Sequence, residues 1–431
     1  MSCRSLAHIR AEIWGEEIKV SLIVVGMLAT APAWAQSPGG VPSLARRPAV
    51  RSVLEAVKAS EPQTILDQIR FCEVPAPPFK EADRAGLLRA EFVRLGLQSV
   101  RLDRVGNVLG ERRGEGSRPR VVVAAHLDTV FPEGTDVKVT RQGNLLRGPG
   151  IGDNCRGLAV LAAIIRAMQQ TGVQTTGPVT FVANVGEEGL GDLRGMKALF
   201  GETMKDQIER FLSIDNAGIH VSAIGTGSHR FRVTFRGPGG HSFAQFGIAN
   251  PADALGRAIA KIADWQVAPL PRTTFNVGRI GGGTSVNSIP TEAWMEVDLR
   301  SSDSGALAAL DTKLQQAVEA AAAEENARWG TPRMISVTRE LVGDRPAGAL
   351  AMDAPILTTA QAVARVLGVV AAVSESSSDA NLPISLRIPA ISIGGGGRSV
   401  DSHTPSETFD ATDSWKGTQF GLLLTLALAE P

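Results

Sequence analysis

The sequence predicts an α/β protein with a second, α+β unit inserted into it. Short, fully apolar runs alternate with helix-period segments near both ends of the chain, as in a mostly parallel sheet covered by helices. Between these regions, from about Gly227, the pattern changes to strands that alternate polar and apolar residues, in the order strand, helix, strand, strand, helix, strand. The length of 431 residues suits two or three domains.

Residues 20–31 form an apolar run too short to span a bilayer. Lys19 precedes it, and Ala33-Trp34-Ala35, a small-x-small pattern, follows. This predicts a signal peptide over 1–35, cleaved before Gln36, and a secreted or periplasmic protein. The alternative is an uncleaved anchor. Residues 36–52 begin Pro/Gly/Ser-rich and read as a flexible lead-in.

The first part of a catalytic domain is expected over 53–226. Val53, Val57, Ile65 and Ile69 fall at helical spacing, and 84–95 continues with a second helical pattern. Residues 121–125 are all apolar, as in a strand buried on both faces. A helix is predicted over 158–168 and strands over 179–185 and 211–214. The inserted domain is expected over 227–342. Its strands are placed at 230–235, 273–280, 292–300 and 334–341, and its helices at 251–265 and 306–327. That order is the split βαβ, ferredoxin-like unit. The first domain resumes over 343–431, with a helix at Pro355–Leu367, strands near Val369 and Ile391, and a last helix from Ser414.

Composition narrows the function classes. The 44 basic and 44 acidic residues give a formal net charge of zero. A balanced chain offers no electrostatic reason to bind nucleic acid or, once the leader is removed, a membrane. Of three cysteines, Cys3 leaves with the leader. A Cys72–Cys155 bridge is arithmetically possible, but two buried free thiols are the expectation.

Acidic and imidazole groups gather at strand ends and in glycine loops. His126-Leu127-Asp128 follows the run 121–125, and ligands bind at the carboxyl ends of strands in α/β sheets. Gly148-Pro149-Gly150-Ile151-Gly152-Asp153 reads equally as a loop presenting a carboxylate or as a turn that caps the next helix. Glu187-Glu188 and Asp215 each follow an apolar strand, and His403 follows the loop 394–397. Each alone has an ordinary explanation: a hydrogen-bonded histidine, a solvated acidic loop. Together, two histidines, two terminal carboxylates and one shared carboxylate make a reasonable ligand set for two zinc ions.

At these residues the chain resembles the dizinc exopeptidases and deacylases that include peptidase T, carboxypeptidase G, acetylornithine deacetylase and succinyl-diaminopimelate desuccinylase. The resemblance rests on His126-Leu127-Asp128-Thr129-Val130, Gly150-Ile151-Gly152-Asp153, Glu187-Glu188-Gly189, Ile214-Asp215, Gly237-Pro238-Gly239-Gly240-His241-Ser242, Asn287-Ser288-Ile289-Pro290 and His403-Thr404-Pro405, in that order. It implies a zinc-peptidase-like catalytic domain with an inserted lid that also forms a homodimer. His126 and Asp215 would bind one Zn2+, Glu188 and His403 the other, and Asp153 would bridge them, with Co2+ or Mn2+ as substitutes. Glu187 would be the general base and Asp128 would orient His126. His241 would help hold the oxyanion, commonly in the partner's site. Asn287 and Arg300 would contact the substrate, a small peptide or N-acyl amino acid.

The chain departs from the family in three places. Asn154-Cys155-Arg156 stands where relatives often have Lys. Asp215 is Glu in many deacylases and carboxypeptidases, so Asp leans towards an aminopeptidase or dipeptidase. Ser376-Ser377-Ser378-Asp379-Ala380-Asn381 carries serines where the family has glycines, and reads equally as a plain turn. The alternatives are an N-acyl-amino-acid deacylase or glutamate-type carboxypeptidase, a silent binding protein of the same fold, and a single-metal structural site. Glu187 and a complete ligand set count against the last two.

Overall fold

The computed structural model describes residues 40–330 and 334–431. The expected leader over 1–35 lies outside the described residues. The apolar runs form the centre of a nine-stranded sheet. Strands Val179–Asn184, Val121–His126, Arg210–Ile214 and Ala390–Ile393 are neighbours in that order and run parallel. Every residue in them is buried, because helices cover both faces. Helix Cys155–Thr171 packs against Glu61–Cys72 and Pro48–Ala59, and Trp415–Leu428 completes that layer. The edges are Gln98–Leu102 and Val108–Arg112 on one side, and His220–Gly225, Gly348–Ala349 and Ala372–Ser376 on the other.

The expected flexible lead-in over 36–52 is corrected across its described part. Gly40–Arg46 and Pro48–Ala59 are helices. Pro48 occupies the first turn, where its missing N–H costs nothing. Leu44, Val50, Val53 and Val57 are buried in the main core, and that burial makes this segment part of the fold.

The inserted unit is a four-stranded antiparallel sheet of Gly227–Arg236, Thr273–Gly282, Glu292–Ser301 and Ser336–Arg345. Read across the sheet, its strands are the second, third, first and fourth of the unit, the ferredoxin-like arrangement. Its helices start where side chains satisfy the free N–H groups. Asn250 caps Pro251–Ala263 and Asp303 caps Ser304–Trp329. Phe231, Val233, Phe235, Met295, Leu299 and Leu314 give it a core of its own. Its last strand runs to Arg345, past the expected end at 342. The chain crosses between the two bodies beside Thr226 and Pro346. The Asn381 side chain donates to both carbonyls, at 2.9 and 3.0 Å.

The expected free thiols are also corrected. Cys72 ends helix Glu61–Cys72, Cys155 begins Cys155–Thr171, and the two form a disulfide with Cα atoms 5.3 Å apart. These two helix ends lie against one loop, and this brings together residues 83 apart in sequence. Among the described residues no helix is long and apolar enough to cross a membrane.

Candidate metal centre

Three of the central parallel strands deliver the site. His126 ends Val121–His126, Glu187-Glu188 follow Val179–Asn184, and Asp215 follows Arg210–Ile214. Parallel neighbours place their carboxyl ends on one edge, so these side chains converge there. Asp153 comes in on the glycine loop, whose shape is held by Glu407. That carboxylate accepts the N–H groups of Gly150 at 2.9 Å, Gly152 at 2.9 Å and Asp153 at 3.2 Å. Gly150 sits at φ +77°, a conformation that favours glycine.

Asp153 lies at the centre. Its Oδ1 is 3.1 Å from His126 Nε2, and its Oδ2 is 3.1 Å from His403 Nε2. Asp215 Oδ1 is 3.4 Å from His126 Nε2, and Glu188 Oε1 is 3.4 Å from His403 Nε2. The donor atoms of His126, Asp153 and Asp215 all lie within 4.8 Å of one another, as do those of Asp153, Glu188 and His403. His126, Glu187 and Glu188 form a third such group, and the two groups that share Asp153 are each able to take a divalent cation.

The electrostatics fit such an occupant. Asp215 Oδ1 is buried with only the 3.4 Å approach to His126 Nε2 and no well-formed hydrogen bond, which leaves it room for a further partner. Hydrogen bonds to Asp153 and Glu188 push the His403 imidazole up to about 10. His126 is held well above its ordinary value. Burial pulls it down, but Asp128, Asp153 and Asp215 outweigh that pull. The cluster thus draws positive charge, and a bound cation would displace those protons.

Asp128 lies against His126, as expected, and also reaches the two glutamates. His126 Nδ1 lies 3.0 Å from the backbone oxygen of Asp128 and 3.7 Å from its carboxylate. The carbonyl can therefore accept the Nδ1 proton, so that Nε2, beside Asp153 and Asp215, is the nitrogen a cation would bind after displacing its proton. The Asp128 carboxylate also accepts the N–H groups of Glu187, at 3.0 Å, and Glu188, at 2.7 Å. It fixes both acids at once.

Glu187 is 4% exposed and lies against His126 and Glu188. Burial raises its carboxyl well above the usual range; nearby Arg345 opposes this and Glu188 adds to it. Arg345 Nη1 donates to Glu187 Oε1 at 2.9 Å.

Three expected site residues lie apart from this cluster, in the inserted domain. His241 and Asn287 are exposed neighbours on the short paired strands Gly240–His241 and Ser288–Ile289 and the turn before the second. Arg300 donates to Asp298 at 2.6 Å. It lines a cavity of about 180 Å³ with Thr226, Arg272, Thr274, Glu375 and Ser377. Among the described residues, no hydrogen bond or ion pair joins these three to the metal ligands.

Three residues not named as candidates support the site, and so does Asp379, whose segment 376–381 reads from the sequence as a family loop or a plain turn. Glu407 carries the Asp153 loop. Arg345 holds Glu187. Arg84 is fully buried and donates to the carbonyls of Leu127, at 2.7 Å, and Val74, at 2.8 Å. Asp379 accepts from Asn184 at 2.7 Å and is pushed up to about 7, chiefly by burial. The segment 376–381 is therefore more than a plain turn. Glu407 stands four residues after His403, and Asp379 lies in the segment already compared with a family loop; nothing local points at Arg345 or Arg84.

Known proteins share this architecture. Succinyl-diaminopimelate desuccinylase of Corynebacterium glutamicum is 26% identical over 243 residues, covering 54% of this chain and 64% of that protein. The chain therefore spans a little under two thirds of that relative's length. The crystal structure of aminopeptidase PepT from Bacillus cereus superimposes with a TM-score of 0.68 at 21% identity, covering 86% of this chain and 99% of that one. The Bacillus subtilis YXEP protein, described as a dinuclear metal-binding peptidase, gives 0.62 at 19% identity, over 86% and 99%. The model of peptidase family M20/M25/M40 matches residues 122–426, a span that includes every metal-ligand candidate, and the chain belongs to that family.

Proposed function

We propose that the protein hydrolyses amide bonds in small peptides, as an aminopeptidase or dipeptidase, with two zinc ions and Glu187 as general base. The observation that carries this is the pair of three-ligand groups sharing Asp153, with a further acid set against them. His126 and Asp215 would hold one ion, Glu188 and His403 the other, and Asp153 would serve both. Nitrogen and carboxylate donors of this kind suit zinc. When bound, two such ions acidify a water and polarise the amide carbonyl. Glu187 takes the proton from the attacking water and passes it to the leaving amine. Asp128 keeps Glu187 and Glu188 in register through their backbone N–H groups. His241 would donate to the oxygen that becomes negative, and Asn287 and Arg300 would hold the substrate.

A second reading, N-acyl-amino-acid deacylase or carboxypeptidase, is favoured by the cavity beside Arg300, whose guanidinium suits a substrate carboxylate. Chelation decides the metal question and a substrate panel the rest. Stripped protein should lose hydrolysis of dipeptides, tripeptides and N-acyl amino acids, and regain it at two Zn2+, Co2+ or Mn2+ per chain. Full activity at one ion per chain would remove the paired site. A loaded protein that turns over none of the panel would be a silent binder.

Export is part of the same proposal. A disulfide is at home in an oxidising compartment, in keeping with the leader pattern over 1–35. N-terminal sequencing of the native protein should begin near Gln36; an intact Lys19-to-Ala35 segment would sink the cleavage. The inserted domain is also proposed as a homodimer interface. Thr273–Gly282 is an edge strand of its sheet with Ile280 exposed, and open edges invite pairing.

A further inference from the structure

We infer that Arg345 is a positioning residue for the base: from the return strand of the inserted domain it fixes the Glu187 carboxylate in the orientation that proton transfer needs. The inference rests on Glu187 being that base.

Arg345 is the last residue of Ser336–Arg345 and 3% exposed. Its planar fork makes a two-point grip on one residue. Nη1 donates to Glu187 Oε1 at 2.9 Å, and Nη2 donates to the Glu187 backbone oxygen. Nη1 also donates to Ser377 Oγ at 3.1 Å, a further anchor for the guanidinium. One oxygen of Glu187 is thereby committed to Arg345, while the side chain still lies against His126 and Glu188. A lone carboxylate on a loop would sample several rotamers; this grip selects one.

The surroundings of Arg345 are also tied down. Its neighbour Asp344 donates its N–H to Asp192 Oδ1 at 2.8 Å, and Arg230 donates to the Gly189 carbonyl. Both partners lie just after Glu188. Asn381 holds the two chain crossings, beside Thr226 and Pro346. The root of the inserted domain and the loop bearing the base are thus one hydrogen-bonded unit. A shift at the root would move Glu187 through Arg345.

The test uses full-length, metal-loaded protein and the fastest substrate of the panel. Arg345→Ala should lower kcat on the order of 10²-fold, the scale of a small misplacement of a reacting group, with metal content and KM little changed. Arg345→Lys keeps a cation but loses the two-point grip, so its kcat should fall less. Added guanidinium should restore part of the Arg345→Ala rate. In a Glu187→Gln background, Arg345→Ala should cost nothing further, since both act through one group. Crystals of loaded Arg345→Ala should show the Glu187 carboxylate displaced. If Arg345→Ala does not fold, Arg345→Lys decides on the same kcat and KM readings. Wild-type kcat in the folded variants would overturn the inference. So would a loss confined to KM, which would make Arg345 a substrate contact, or an additive loss in the double variant. Wild-type turnover by Glu187→Gln would instead sink the base assignment itself.

Discussion

Glu187→Gln should lower turnover by about 10²–10⁴-fold while leaving two metal ions bound, because general acid–base help is worth that much. The substitution is nearly isosteric. The amide oxygen can still accept from Arg345, and the backbone N–H groups of Glu187 and Glu188 still reach Asp128. What disappears is the ability to carry a proton between water and leaving amine. None of the five ligand candidates is altered, so metal content reports on the site independently of rate. A melting curve checks that Arg345, left facing a neutral amide, does not unfold the protein. Activity within about threefold of wild type, against that range, would take Glu187 out of the role.

His126, Glu187, Glu188 and Asp215 are legible in the sequence because each follows an apolar run directly. A parallel sheet must then bring the carboxyl ends of those runs together. Asp153 and His403 stand on loops, where spacing says little, and their assignment leaned on the resemblance to a family. Glu407, which shapes the Asp153 loop, lies 254 residues from Asp153. Arg345 lies 158 residues from Glu187. No local pattern connects partners so far apart.

The fold was legible on the same terms. The buried central strands and the inserted unit have a clear period, whereas the edge strands Gln98–Leu102 and His220–Gly225 are short and mixed in polarity. The stretch before residue 53 shows how composition misleads. Its prolines and glycines suggest a loop, yet Pro48 stands where a helix tolerates proline best and the apolar residues around it are buried. The Cys72–Cys155 pairing could be named from the sequence but not chosen over free thiols, since two helix ends must meet before the cysteines do.

His241→Ala separates a self-contained active site from one completed by a moving or neighbouring lid. The variant should bind two metal ions and melt near wild type, yet lose about 10²–10³ in rate, the usual cost of one oxyanion donor. Folding should be spared because the side chain is exposed and truncation opens no cavity. The local hydrogen bonds explain why it can donate. Its Nδ1 accepts the N–H groups of Phe243, at 3.2 Å, and Ala244, at 3.3 Å. An acceptor Nδ1 leaves the proton on Nε2. No hydrogen bond or ion pair among the described residues joins His241 to the candidate metal ligands, so the proposed role requires domain closure or a second subunit. Dissociating and reassembling His241→Ala with Glu187→Gln distinguishes the two. If the site is shared across a dimer, one hybrid site combines an intact base with an intact histidine, and activity returns. A confirmed mixed dimer without recovery would place His241 over its own subunit's metals. A fully active His241→Ala would remove the residue from catalysis.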